Sequence, residues 1–380
     1  MGDLTEIAKK TNLFNCLECG KCTSVCPISR FGGQYSPRLM ITRSIQGHYD
    51  ELLVDRQIWT CLTCGMCNVR CPSDVHYTEF TRLARIESNR SGQEGLCSHG
   101  GVFQSLTKIM TSSNLKQNRM DWASSDLKIS KGGEFLYFVG CLPYFDVFFS
   151  DIGVESLEIA KSVIKILNHL GIEPVLLPNE RCCGHDLFWT GDMLNFQRLA
   201  EHNVAEIKKS GAKTVLFSCP ECYRTFKLDY PQYVGELGFD VIHLSEFLAG
   251  KVANNALKFH ALKKGVTYQD PCRLGRHLGI YDPPRQLMTQ IPGLTLLEMP
   301  KSREMAICCG TSCWTNCDLT SKQIQLGRLR SAKQTGADLL VTGCPKCYIH
   351  FKCAQSDQNA ADEVKIEIED LATLTAEALI

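Results

Sequence analysis

The sequence predicts an α/β protein: an N-terminal, mainly α-helical ferredoxin-like module, then two homologous α/β half-domains built on parallel sheets. Three observations predict it. A cysteine run of the form C-x2-C-x2-C-x3-C-P occurs twice near the amino end, as CLECGKCTSVCP (16–27) and CLTCGMCNVRCP (61–72). Beyond residue 134 the chain repeats itself: RCCG (181–184) is echoed by ICCG (307–310), and KTVLFSCPECYRTF (213–226) by ADLLVTGCPKCYIHF (337–351). In both copies short apolar runs alternate with amphipathic stretches, the pattern of parallel strands joined by helices. The organisation that follows is a module over 1–87, a linker over 88–133, and half-domains over 134–262 and 263–380.

Composition bounds the chemistry. With 380 residues, 44% apolar and 22% charged, the chain has the make-up of a globular protein of two or three domains. Forty-one basic residues balance forty-one acidic ones, so no broad field draws in nucleic acid or anionic lipid. Twenty-two cysteines are the outlying number. The start, MGDLTEIAKKTNLF, lacks the basic-then-apolar layout of a secretory signal, and a chain of this size has core enough without staples. The expectation is a reducing, cytoplasmic setting with thiols held for metal. No run of 18 apolar residues occurs, so no transmembrane segment is expected. The greasiest stretch, FLYFVGCLPYFDVFFS (135–150), is interrupted by Pro143 and Asp146 and reads as a buried strand followed by an apolar loop.

In the first module each cysteine run supplies three thiolates from one loop, and its fourth cysteine ligates the other cluster. Cys16, Cys19, Cys22 and Cys71 are thus expected to hold one [4Fe–4S] cubane, and Cys61, Cys64, Cys67 and Cys26 the second. Gly20 and Gly65 allow the tight bend around the inorganic core, and Pro27 and Pro72 end the runs. Zinc knuckles lack this triplet-plus-distant-cysteine spacing. Between the runs, Leu39, Met40, Ile45, Leu52, Leu53 and Ile58 recur at helical intervals, which favours a helical module over a compact β-α-β one.

From Ser88 to Gly133 the chain turns polar and aperiodic, a surface connection with a short helix near Val102–Met110. Cys97 and His99 fall in it and read as bystanders. In half one, strand FLYFVG is followed by helix SLEIAKSVIKILNHLG, which stops at Gly171. Then come strand EPVLLP, the cysteine pair, helix MLNFQRLAEHNVAEIKKSG and strand KTVLFS. Half two runs the same course through VTYQDPC, SKQIQLGRLRSAKQTG and ADLLVT. The paired cysteines recur 126 residues apart and the CPxC turns 125 apart, which means duplicated half-domains rather than a solenoid. Cys141, Cys219, Cys272 and Cys344 all fall at the carboxyl ends of expected strands, where sites in parallel sheets collect.

Half one therefore offers Cys141, Cys182, Cys183, Cys219 and Cys222, and half two Cys272, Cys308, Cys309, Cys344 and Cys347. Five thiolates exceed the needs of one zinc or one ordinary cubane. The pattern C…CCG…CPxC, twice, resembles the duplicated cysteine-rich domain of heterodisulfide reductase catalytic subunits, with their small ferredoxin-like iron–sulfur subunit fused in front. The resemblance covers nearly the whole chain. It implies that each five-cysteine set holds a noncubane [4Fe–4S] cluster, that the two clusters face each other, and that a disulfide is cleaved between them. One sulfur is then left on an iron of each cluster before two thiols depart. It also implies the roles of Cys183 and Cys309 as ligands at the reacting face. His185, immediately after CCG, is a candidate proton donor to a departing thiolate, because imidazole titrates near neutrality. After the second pair the chain reads GTSCWTNC, adding Cys313 and Cys317, which line the cavity, replace a ligand or pack beside Trp314. Cys353 is read as structural.

Two functions fit. The first is an enzyme subunit that reduces or forms a disulfide at facing noncubane clusters. The second is an electron conduit without its own substrate in a larger complex, of the class II benzoyl-CoA reductase or flavoprotein-linked dehydrogenase kind. An open cavity between the half-domains favours the first, and a contact filled by side chains favours the second. GLCSHGG lacks the strand-turn-helix setting of a dinucleotide fingerprint and no P-loop occurs, so flavin or nicotinamide chemistry is assigned to partner subunits. Association with the inner face of a membrane would likewise run through a partner.

Overall fold

The computed structural model describes residues 4–357 and 362–380. The chain divides into two compact units. One gathers Met1–Ile109, Gly184–Phe196 and Ile307–Gln325; the other gathers Met110–Cys183, Gln197–Ala306 and Leu326–Ile380.

The first unit is helical. Short helices at Lys21–Val25 and Met66–Val69 each follow a cysteine loop, and longer ones run at Pro37–Ile45 and Tyr77–Arg90. Ser36 caps Pro37–Ile45 by accepting from the Leu39 N–H, with Pro37 at the first helical position where its missing N–H costs nothing. Helix Tyr77–Arg90 buries Tyr77, Phe80 and Ala84 on one face, together with Arg82 and Arg85. The Arg85 guanidinium, 1% exposed, donates to the carbonyls of Ile58, Trp59, Cys61 and Trp189, and so ties the start of the second cysteine run to helix His185–Thr190. Helix Val102–Ile109 forms in the polar connecting segment.

The second unit carries two parallel sheets. Half one has β1 (Phe135–Phe138), β2 (Thr214–Phe217) and β3 (Asp240–His243), in the order β1-β2-β3. Half two has β4 (Gly265–Gln269), β5 (Thr295–Leu296), β6 (Leu339–Thr342) and β7 (Glu367–Asp370), in the order β5-β4-β6-β7. The strand β5 has a vestigial counterpart in half one. There EPVLLP contributes only isolated bridges at Val175, beside Leu136 on one side and Ser130 on the other, with the Val175 N–H donating to the Phe135 carbonyl and its own carbonyl accepting from the Tyr137 N–H. A second departure from the sequence reading lies just after β1. Residues Leu142–Phe148 form a helix rather than a loop, since Pro143 occupies its first turn, where proline is tolerated.

The halves pack through exchanged helices. Ser156–His169, which follows β1, lies against Leu371–Glu377, which follows β7; Leu244–Ala253, which follows β3, lies against Asp282–Thr289, which follows β4. These are equivalent contacts of a pseudo-twofold arrangement. One apolar core runs through both halves, from Tyr137, Ile164 and Leu248 to Tyr268, Leu287 and Leu374.

Candidate iron–sulfur sites

The two N-terminal cysteine loops have the same backbone. Glu18 and Thr63, at matching positions, adopt φ of 50° and 47°, and Gly20 and Gly65 follow at 74° and 77° to open the helices Lys21–Val25 and Met66–Val69. A β-branched threonine at positive φ is strained and persists only where the surroundings fix it. The turn brings the Glu18 N–H to 3.4 Å from Cys16 Sγ and the Thr63 N–H to 3.3 Å from Cys61 Sγ; Val75 N–H does the same for Cys71 at 3.3 Å. Donors aimed at sulfur are the usual support of thiolate ligands.

These loops line two partly open pockets, whose volumes include space continuous with solvent. One of about 380 Å³ is lined by Cys16, Cys19, Cys22 and Cys71, with Cys67 at its edge. The other, about 310 Å³, is lined by Cys26, Cys61, Cys64 and Cys67. Their settings differ. Cys19 is exposed and Cys16, Cys22 and Cys71 are half-buried, whereas all four thiols of the second cavity are buried. Burial pushes the Cys26 thiol up to about 12 and drives Cys67 well above the thiol range, with neighbouring sulfurs adding to the effect. Four buried thiols cannot ionise together without a cation among them, so the donor set fits a thiolate-bound iron–sulfur core whose binding expels protons.

In half one, Cys141 follows β1 and Cys219 follows β2 at the carboxyl ends of adjacent strands. The structure brings all five thiols together. Cys182 is in hydrogen-bonding contact with both Cys141 and Cys183, and Cys222 with both Cys183 and Cys219. A methyl group at Gly140 would sit 3.2 Å from Cys222 Sγ, which shows how tightly the set is drawn in. Contact with Cys182 and burial push Cys141 far above the usual thiol range; contact with Cys183 and Cys219 does the same for Cys222.

Polar side chains hold the cysteine pair in place. Asn203, fully buried, accepts from the Arg181 N–H at 3.0 Å and donates to the carbonyl of Cys182 at 3.0 Å. Tyr230 donates to the Cys183 carbonyl at 2.9 Å, and Met110 Sδ accepts from the Cys182 N–H at 3.3 Å. Glu180 accepts from the N–H groups of Val139 and Gly140 and pairs with Arg119 at 2.7 Å, so the loop before Cys182 is clamped to the loop before Cys141. Burial raises the Glu180 carboxyl to about 7 against the pull of Arg119.

In half two, Cys272 lies beyond β4, and Cys344 and Cys347 occupy the start of helix Pro345–Gln355 after β6. Cys308 and Cys309 are buried in the first unit, on the loop before GTSCWTNC. That loop is held in an uncommon backbone: Cys313, Trp314 and Asn316 have φ of 57°, 54° and 50°. Ser98 and Gln104 donate to the Trp314 carbonyl, and Asn316 donates to the Trp59 carbonyl. Ser312 Oγ lies 3.3 Å from Thr63 Oγ1 in the second N-terminal loop. Trp314 stacks on Phe103 at 4.2 Å. Cys313 is 1% exposed with its sulfur beside Ser312 Oγ, Cys317 is exposed and Cys353 is half-buried. His185 is buried at the first position of helix His185–Thr190, its ring tilted against Trp189.

Within the second unit the two CPxC turns meet. Glu221, between Cys219 and Cys222, forms a 2.7 Å ion pair with Lys346, between Cys344 and Cys347, and both side chains are largely buried. Arg224 donates to His277 Nδ1 at 3.0 Å across the same boundary. Arg119, Gln104 and Ser98 come from the connecting segment and escaped the sequence reading, because polar residues without periodicity give no signal of what they will hold.

Residues 135–227 and 266–352 match the family described as Cysteine-rich domain, and 12–75 match the 4Fe-4S dicluster domain. A subunit of the dihydromethanophenazine:CoB–CoM heterodisulfide reductase of Methanosarcina barkeri is 36% identical over 272 residues, 70% of this chain and 63% of the relative. The probable iron-sulfur-binding oxidoreductase FadF of Bacillus subtilis is 27% identical, covering 97% of this chain and 60% of its own. The EtfAB:quinone oxidoreductase of Syntrophomonas wolfei is 24% identical over 93% of this chain and 57% of its own. The chain thus spans about three-fifths of the length of these curated relatives. Among solved structures, a hypothetical protein from Helicobacter pylori shares the fold, with a TM-score of 0.57 over 99% of this chain and 76% of that one, at 13% identity.

Proposed function

Because the chain belongs to the family of heterodisulfide reductase iron–sulfur subunits and related iron–sulfur oxidoreductases, we propose that it relays electrons through two cubane sites to two noncubane sites that reduce or form a disulfide. The observation that carries this reading is the continuous contact of Cys141, Cys182, Cys183, Cys222 and Cys219, five soft donors where one cubane uses four. The second copy of the Cysteine-rich domain, residues 266–352, offers the cysteines of its own motif for the other noncubane cluster. When bound, iron–sulfur clusters supply one-electron storage and soft iron for thiolate sulfur.

The chain's own residues do the rest. The exposed Cys16–Cys19–Cys22–Cys71 site receives electrons from a partner, and the buried Cys26–Cys61–Cys64–Cys67 site passes them inward. Ser312, three residues beyond Cys309, touches Thr63 of that buried site. Glu180, Asn203 and Tyr230 keep Cys182 and Cys183 from moving as charge changes. Cys183 and Cys309 are the ligands placed at the reacting face, and His185, two residues beyond Cys183, is the proton donor. Electrons come from a flavin-containing or other electron-donating subunit. Among the described residues no helix is long and apolar enough to cross a membrane; a partner is proposed for any attachment to one.

A specific observation favours the conduit reading as the alternative. The Glu221–Lys346 pair closes the space between the two CPxC turns with side chains, where a substrate gap would be open. One experiment separates the two. Anaerobically purified protein is expected to hold about 16 irons, four for each of four sites. Its paramagnetic spectrum is expected to change on adding an oxidised or reduced thiol substrate such as the CoM–CoB heterodisulfide. Full iron with a spectrum indifferent to thiols would establish the conduit instead.

A further inference from the structure

Several buried cations beside the cysteine sets are paired with carboxylates. Arg224 pairs with Asp229, Lys346 with Glu221, and Arg285 with both Asp270 and Glu298. Arg181, beside Cys182, and Arg273, beside Cys272, are buried as well, the one donating to the Met110 carbonyl and the other to His277. Arg119 is 5% exposed and Arg328 is 0% exposed, and each keeps one buried guanidinium nitrogen, Nη1 and Nη2 respectively, without a hydrogen-bond partner among the described residues.

Their surroundings differ. Arg119 is clamped to Glu180 at 2.7 Å and to the carbonyl of Gly140 at 2.6 Å, one residue before Cys141. Arg328 is held by neutral acceptors, the Gln269 Oε1 and the Lys301 carbonyl at 2.8 Å. The nearby carboxylate of Asp270 is occupied by both Nη groups of Arg285 and by the Arg303 N–H. Burial lowers the Arg328 guanidinium to about 10 and the nearby Arg276 adds to the fall, while Asp270, then Cys347 and Glu298, pull it back up. A fully buried cation held only by neutral oxygens costs several kcal/mol, and such a group persists where a negative charge is brought to it. Asp270 and Glu298 supply part of that charge, and thiolate-bound iron in half two would supply more.

The two arginines arise differently in the sequence. Position 328 lies in helix Leu319–Lys333, 125 residues beyond Asn203, the spacing of the CPxC repeat. Half one has a neutral amide there and takes its arginine from the connecting segment instead.

We propose that Arg119 and Arg328 are positioning residues, one for each half, each directing a guanidinium N–H and its charge at the sulfur of the cluster bound in that half. Because Glu180 offsets the charge of Arg119 and, among the described residues, no carboxylate is bonded to Arg328, the half-two site is the more easily reduced of the pair. Electrons then come to rest there first. This rests on the cluster assignment above.

The test is a redox titration of wild type, Arg119→Met, Arg328→Met and Arg328→Lys, followed by the paramagnetic signals of the noncubane sites with iron content measured in each. Arg328→Met is expected to lower the reduction equilibrium of the higher-potential signal about tenfold or more, about 59 mV for a one-electron couple, and to leave the other signal in place. Arg119→Met is expected to move the other signal by less, and Arg328→Lys to recover most of the loss. Denaturation of the cluster-free proteins supplies a second readout. A purely structural Arg328 predicts that Arg328→Met weakens the cluster-free chain, whereas relief of an uncompensated buried charge predicts that it strengthens it. Unmoved potentials at full iron content, or equal shifts of both signals by one variant, overturn the inference while leaving the proposed function intact. A wild type without noncubane signals overturns the function and this inference with it.

Discussion

Half one carries Asn203 where half two carries Arg328, and it caps the helix after its last strand with His243 where half two uses Asp370. The strand skeleton and the five-cysteine motif recur in both, as does the exchange of helices across the pseudo-twofold boundary. The polar shell around the motif does not recur. Half one holds its cysteine pair with an amide, a phenol and a carboxylate acting on backbone groups, and it imports a cation from outside the repeat. Half two carries a cation inside its own helix. The difference teaches that the repeated motif fixes where the thiols and the strand ends lie, whereas the charge balance has more than one structural solution.

The largest effect that would break this comparison is loss of a ligand. Replacing Cys182 or Cys222 by Ala is expected to remove one cluster, about four irons per chain, with the half-two signal retained. Loss of both noncubane signals from a single half-one substitution would show the halves to be one cooperative site. The measurement is iron quantification beside low-temperature paramagnetic resonance.

Next in size is the ion pair that joins the halves. Lys346→Met leaves Glu221 buried without that cation, and breaking such a pair costs about 3–5 kcal/mol. The double change Glu221→Leu with Lys346→Met is expected to recover most of it, because two apolar side chains carry no desolvation cost. Denaturant midpoints of the two singles and the double form the cycle. If the bridge also shuts out a substrate, the double variant turns over disulfide faster; an unchanged rate supports the conduit reading.

A smaller effect separates the neutral shell of half one from the charged one of half two. Asn203→Ala deletes the acceptor for the Arg181 N–H and the donor to the Cys182 carbonyl, both inside the fold. Leaving such groups unsatisfied costs about 1–3 kcal/mol. The expected readout is a lower unfolding midpoint together with faster loss of iron from half one only.

The same contrast explains what was legible in the sequence. Strand ends and cysteines were readable because alternation and motif spacing are periodic, local signals: β1, β2, β4 and β6 lie where the apolar runs place them, and the helix that stops at Gly171 ends at His169. The strand expected over EPVLLP is reduced to isolated bridges at Val175, a shortening that the apolar run gives no sign of. The helix at Leu142–Phe148 was hidden by a proline that a first turn accepts. Arg119, Arg85 and Arg328 were illegible as site residues. An arginine on a helix or in a polar connection reads as solvent-facing, and only the folded chain shows these three with 5%, 1% and 0% exposure.

The smallest effect tests the two helix caps by pH. His243 accepts from the Ser245 N–H, and burial lowers its imidazole to about 3 from the usual 6.5; the Tyr223 ring is packed beside it. The folded state therefore resists protonation that the unfolded chain accepts, so this group makes stability rise with pH between about 3 and 6.5. Asp370 accepts from the Ala372 N–H, and burial raises its carboxyl to about 7 from 3.8, with Glu369 adding to the rise and Tyr137, Tyr268 and Tyr348 nearby. Here the folded state keeps a proton that the unfolded chain has lost, so stability falls as pH rises from about 3.8 to 7. Between pH 4 and 6.5 the two slopes oppose each other, each at most about 1.36 kcal/mol per pH unit. Asparagine caps a helix in either place without titrating. Asp370→Asn removes one falling contribution beside those of Glu180 and Glu369, so its profile is expected to climb relative to wild type through that interval, and that of His243→Asn to fall relative to wild type. Parallel profiles for the two variants would mean that the caps of the two halves are equivalent after all.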